Sequence, residues 1–109
     1  MKGATINAGD LRDRVVIEYR RLGQNQLGEA EESWKPVAKV WANVEPLSGR
    51  EYFLAQQVQA ETTHSVEMRF RPGLNASEYR LKIGATTLNI LSAIDVENLG
   101  VKHVLMCKG

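Results

Sequence analysis

Apolar and polar residues alternate along most of this chain, and the alternation is interrupted once. In "DRVVIEYR" (13–20) Val15, Ile17 and Tyr19 fall on one side and Val16, Glu18 and Arg20 on the other. That two-residue period predicts a half-buried strand. The next stretch, "RLGQNQLGEAEES" (21–33), has two glycines and several amides, and reads as a long exposed loop or an extended hairpin arm. Alternation resumes in "WKPVAKVWANVE" (34–45), with Ala38, Val40, Ala42 and Val44 opposite Lys39, Trp41, Asn43 and Glu45. Pro36 lacks the N–H of a ladder donor and marks an edge or a bulge in this second strand.

The interruption begins at "PLSGRE" (46–51). Ser48 is placed as an N-cap, its hydroxyl accepting from the Glu51 N–H while the Glu51 carboxylate reaches back, and Leu47 and Tyr52 form a hydrophobic staple. Residues 49–60 contain no proline, and Leu54, Ala55 and Val58 make a narrow apolar stripe, which predicts an inserted helix of about three turns. Period two then returns. His64, Val66, Met68 and Phe70 face one way and Ser65, Glu67, Arg69 and Arg71 the other, up to a turn at Pro72 and Gly73.

Two further strands are predicted in "EYRLKIG" and "TTLNILSAI", where Tyr79, Leu81 and Ile83 and then Leu88 and Ile90 point inward across a short Gly84–Ala85 connection, the pattern of a hairpin. The final strand, "VKHVLMCK", is apolar at Val101, Leu105 and Cys107 and also at Val104 and Met106, so both of its faces are expected to be covered. The sum is a mainly β single domain over residues 1–109: six strands in a small barrel or sandwich, one inserted helix (49–60) and a long loop (21–33). Closure of such a sheet removes exposed edges.

Composition narrows the function. A chain of 109 residues holds one core and has little room for a deep substrate cleft. Fourteen basic residues against thirteen acidic ones give a net charge of +1, so any contact with nucleic acid must be local rather than driven by a global field. The single cysteine, Cys107, excludes an internal disulfide, and the opening "MKGATINAGD" lacks the apolar core of a secretory signal. Together these point to synthesis and folding in a reducing cytoplasm.

Candidate chemistry is sparse. There is no glycine-rich phosphate loop, metal-ligand cluster or nucleophile–base spacing, and no catalytic, metal or cofactor residue is assigned. His64, His103 and Cys107 could be imagined as a metal or thiol site, but each occupies a strand position, which favours structural roles. By residue type Glu51 and Glu61 could form a catalytic pair; capping explains the first and solvation the second. Trp41 is expected in the core, and Trp34 either there or at an interface. A single-stranded nucleic-acid-binding barrel is the alternative function. Two tryptophans, three tyrosines and two phenylalanines, several of them needed inside, make a thin stacking platform for it. An enzyme using Cys107 is disfavoured, because alternation buries that thiol.

The residues "GDLRDRVVIEY", the block W-A-x-V-x-P-L-x-G-R-E at Trp41–Glu51, A-x-x-V-x-A-E-x-T-H-x-V at Ala55–Val66, R-x-R-P-G at Arg69–Gly73 and the closing "LMC" resemble the head–tail joining or head-closure proteins of long-tailed bacteriophages, also called stoppers or head–tail adaptors. The likeness spans Gly9 to Lys108. It implies a small β-barrel in the virion that self-associates into a ring below the portal and its adaptor, closes the DNA-filled head and offers a docking surface to the tail-terminator and other tail proteins. It further implies non-specific contact with genomic DNA in the channel, with no enzyme activity, membrane or small-molecule substrate. On that reading the segments a barrel does not need supply the ring and partner contacts: Gln24, Gln26, Leu27 and Glu29 in the first loop, and Arg50, Tyr52, Leu54 and Gln57 in the helix. Arg50, Arg69 and Arg71 are candidates to face DNA, or are ordinary surface charges.

Overall fold

The computed structural model describes residues 6, 8–47 and 61–109. Among them six strands, all paired antiparallel, close into a barrel: β1 (Asp13–Gln24), β2 (Ala30–Pro46), β3 (His64–Arg69), β4 (Tyr79–Ile83), β5 (Thr86–Asp95) and β6 (Lys102–Lys108). The order around the wall is β1, β2, β3, β6, β5, β4, with β4 returning to β1. Single turns of 3-10 helix, Ala8–Asp10 and Val96–Asn98, lie before β1 and between β5 and β6. The predicted helix over 49–60 and its Ser48–Glu51 capping box lie outside the described residues.

Alternation fills the barrel as expected. Val15 and Ile17 of β1, Ala42 of β2, Val66 and Met68 of β3, Leu81 of β4, Leu88 and Ile90 of β5, and Leu105 and Cys107 of β6 form one buried cluster. A six-stranded barrel has an interior only as wide as its own side chains, and each fully buried aliphatic residue contributes about 1.5–3 kcal/mol. Leu74 closes the cluster from the turn that follows β3. In that turn the Leu74 N–H donates to the Arg71 carbonyl at 3.3 Å, with Pro72 and then Gly73 (φ 81°) in the two central positions a type II turn prescribes. The β4–β5 hairpin turns on Gly84 and Ala85, and Gly84 takes the positive φ of 58° that a two-residue hairpin turn needs.

Two bulges shift the register. Ile17 pairs with Ala38 but Glu18 with Pro36, leaving Val37 as the extra residue beside the proline that cannot donate. Ile90 pairs with Cys107 and Ser92 with Met106, so Leu91 is the second. Past that point the inward position passes to Ala93, which faces Leu105, and Ile94 turns out to solvent.

The structure corrects three expectations. Residues 21–33 are the extended hairpin arm and not the long loop, the other reading the sequence allowed: β1 and β2 stay paired from Arg21–Ser33 to Gln24–Ala30, and only 25–29 form the turn. Backbone bonds hold such a ribbon without any apolar alternation in the sequence. Trp41 is outside the core and 54% exposed, because its neighbours Val40 and Ala42 are the inward residues of β2. Val101 precedes β6 and is exposed; in its place Lys102 and His103 are buried. The Lys102 ammonium lies 3.6 Å from the Glu67 carboxylate, which makes its burial tolerable.

The chain leaves the barrel at Leu47 and returns at Thr63, and these two points are joined: the Leu47 N–H donates to the Thr63 carbonyl at 2.9 Å. Thr63 is also tied to the end of β6, its N–H donating to the Cys107 carbonyl at 2.9 Å and its hydroxyl accepting from the Gly109 N–H at 2.8 Å. These bonds keep the wall closed between Leu47 and Thr63.

Candidate assembly surfaces

The β1–β2 ribbon carries both surfaces of interest, one at each end. Beyond Arg20, whose N–H donates to the Glu78 carbonyl at 2.7 Å, β1 has left its partner β4 and the ribbon projects from the barrel. The molecule accordingly measures 53 Å along one axis and 27 and 26 Å along the others. The turn is closely tied. Asn25 Oδ1 accepts from the N–H groups of Leu27 and Glu29 at 2.9 and 3.0 Å, and its own N–H donates to the Glu29 carbonyl at 2.9 Å. Gly28 sits at φ 79°, where side chains are disfavoured. The arm brings together Gln24, Gln26, Leu27 and Glu29, and Leu27 is 82% exposed at the tip. Glu29, Glu31 and Glu32 make this end acidic, with no cation between Gln24 and Ser33.

The root of the arm is braced. The Arg80 Nε donates to Glu18 Oε1 at 2.7 Å, and the same guanidinium lies 4.4 Å from the centre of the Trp34 ring. Trp34 Nε1 in turn donates to Glu32 at 3.1 Å. On the other face Tyr19 and Tyr79 pack with ring centres 5.3 Å apart, and the Tyr19 hydroxyl donates to Glu78 at 3.2 Å. That bond and the Glu78 charge raise the Tyr19 pKa. Trp34 is therefore a half-buried brace rather than core filling.

At the opposite end of the ribbon, Arg14 stands across from Trp41 in the β1–β2 register, its guanidinium 4.8 Å from the ring centre. The ring divides two shallow clefts. One, of about 350 Å³, is lined by Arg14, Lys39, Arg69 and Arg71 above Phe70 and Pro72; the other includes Arg12, Leu11 and Arg69. No carboxylate is among the described residues lining either cleft. Two of the three arginines singled out for DNA, Arg69 and Arg71, thus meet in one place. Arg50, Tyr52, Leu54 and Gln57 lie outside the described residues. Arg12, Arg14, Lys39 and Trp41 were missed, although alternation does put Arg14 and Trp41 on the outer face; what it cannot show is that β2 and β3 meet beside them.

The remaining candidates occupy structural places. The His103 ring packs against Phe70 with centres 4.7 Å apart, and its Nδ1 accepts from the Arg71 N–H at 3.1 Å. Burial lowers its pKa. His64 Nδ1 is 2.8 Å from the Thr63 hydroxyl. Cys107 is fully buried, and burial pushes its thiol up to about 12. Glu61 is exposed, 3.5 Å from the Lys108 ammonium. Among the described residues no His, Cys, Asp and Glu group could hold a metal ion, and no helix is long and apolar enough to cross a membrane.

Comparison with known proteins gives four matches. The profile of a family described as "Phage head completion protein" matches residues 6–108. Head completion protein gp7 of Enterobacteria phage HK97 is 33% identical over 105 residues, covering 92% of this chain and 93% of that protein. Among solved structures, protein SF1141 from Shigella flexneri 2a superposes with a TM-score of 0.74 at 26% identity, over 94% of this chain and 96% of that one. A chain in the virion of a native gene transfer agent particle shares the fold, with a TM-score of 0.60 at 18% identity, over 89% and 92%.

Proposed function

The chain belongs to the phage head completion protein family, and from that premise we propose that it forms a ring beneath the portal and its adaptor, closes the DNA-filled head and presents the surface on which the tail docks. Its role is structural, in the virion, and catalysis is no part of it. The observation that carries the finer reading is the arm: a closed barrel needs β1 only as far as Arg20, yet the ribbon continues to Gln24 and back from Ala30, braced at its root. Surface-projecting segments on a rigid scaffold are where partner contacts concentrate. Partners on this reading are further copies of the chain, the adaptor ring, the tail-terminator and other tail proteins, and genomic DNA met through its phosphates in the channel.

The test is complementation of a phage lacking the gene, scored by electron microscopy. Without the protein, packaging should proceed while genomes leak out and tails fail to attach, because neither ATP hydrolysis nor DNA cutting draws on its residues. Full, tailed particles in its absence would refute the role.

A further inference from the structure

The two ends of the β1–β2 ribbon are complementary to each other. The tip offers one apolar side chain that is 82% exposed, Leu27, beside Glu29 and Glu31, while Glu32 lies nearer the root, 3.9 Å from the Arg20 guanidinium. The cleft offers an apolar floor beside Trp41 among Arg12, Arg14, Lys39, Arg69 and Arg71. The chain is close to neutral overall, yet these opposite charges sit at opposite ends of one ribbon. From Arg14 to Gln24 the strand runs on without reversal, a distance of roughly 34 Å at about 3.4 Å per residue. A tip at one end of a stiff ribbon cannot fold into a cleft at the other end of the same ribbon. The match can therefore be made only between two molecules.

Resting on the ring reading above, the geometry points to a head-to-tail contact in which the acidic arm tip of one copy seats in the cationic Trp41 cleft of the next. Leu27 then covers the exposed indole, and the glutamates meet the arginines that line it. A contact made by different patches on the two partners repeats around a ring when its rotation closes. The tip is small, so the contact adds register and direction to copies already gathered on an adaptor surface rather than holding them alone. Nucleic-acid phosphate is the other anion the cleft could take. The acidic tip favours the second copy, since a DNA site would leave Glu29, Glu31 and Leu27 unexplained.

The test uses heads assembled with this protein and a carbodiimide, which joins a carboxylate directly to an amine. Mass spectrometry should find Glu29 or Glu31 linked to Lys39, a product that the length of the ribbon forbids within one chain. In complementation, E29K/E31K alone and R14E/R69E/R71E alone should each lower tailed particles by about tenfold or more, and the two expressed together should restore them. The milder pair R69Q and R71Q, with melting of every variant, guards against a folding defect. Copies linked to one another only through other residues would overturn the tip–cleft contact and leave the ring intact. No links between copies at all would remove the ring reading as well. Cleft variants that lose retention on DNA, with no rescue by the reversed tip, would overturn the contact and assign the cleft to phosphate.

Discussion

The N–H of Arg71 donates to Nδ1 of His103 at 3.1 Å, tying the segment after β3 to the wall of β6. Only a neutral imidazole can accept that bond. The ring is 4% exposed, and burial lowers its pKa from 6.5 while Asp95, its register partner on β5, works in the opposite direction. As pH falls, the unfolded chain therefore takes up the proton first, so the stability contributed by His103 is complete above 6.5 and is lost as pH drops through the lower folded value. Melting temperature should fall on acidification from pH 7 to about 5.5, and His103→Gln, which keeps an acceptor but does not titrate, should flatten that slope. A titration midpoint of the His103 ring above 6.5 by NMR would contradict it.

Arg80 joins the barrel to the arm, and its loss should be felt at both. Its partner Glu18 has a side chain only 11% exposed, so Arg80→Ala leaves a carboxylate poorly hydrated and unpaired. The expected cost is about 2 kcal/mol in chemical denaturation. Arg80→Lys should recover part of it but not the stacking on Trp34, because an ammonium lacks the planar face. A double-mutant cycle with Trp34→Ala should show coupling of about 0.5–1 kcal/mol. Additive losses would mean that the ring and the guanidinium are merely adjacent.

Cys107 should behave as a small hydrophobe. Its thiol is held at about 12 by burial, and in the β3–β6 and β5–β6 registers it pairs with His64 and Ile90. A thiol reagent at pH 8 should label the native protein only at the rate of barrel opening, and the guanidinium-unfolded chain at once. Rapid labelling of native protein would reopen the question of a reactive cysteine.

The strands were legible because their cause is local: Val15 and Ile17, Val66 and Met68, or Leu88 and Ile90 state their own face by spacing two. The bulges were not. Nothing near Leu91 announces an extra residue, and the flip that sends Ala93 inward and Ile94 outward follows from pairing with β6, a strand distant in sequence. The arm was legible only as one of two readings for a related reason, since pairing of Arg21 with Ser33 satisfies backbone groups and needs no apolar pattern that would set it apart from a loop. Trp41 shows a preference for bulk overriding periodicity: alternation had already set it opposite Ala42. The cationic cleft joins residues 12–14, 39–41 and 69–71, each unremarkable alone, and only the topology makes them neighbours.

Folding and assembly should separate at the arm. Replacing residues 21–33 by Asn-Gly would close the ribbon at the Arg20–Trp34 pair with a two-residue hairpin turn. Every residue of the buried cluster lies outside that segment, the Glu18–Arg80–Trp34 brace is retained, and a shorter loop lowers the entropy cost of closure. The armless barrel should therefore melt within a few degrees of the full chain and keep its strand content by circular dichroism. If the arm tip makes the contacts proposed above, the same variant should fail to give tailed, infectious particles in complementation, and Leu27→Lys with the arm intact should fail in the same way. Armless protein that supports full, tailed particles would show that the ribbon is dispensable and that docking belongs to another surface. An armless chain that does not fold would contradict the independence of barrel and arm, and the Leu27→Lys result would then decide the arm's part in assembly.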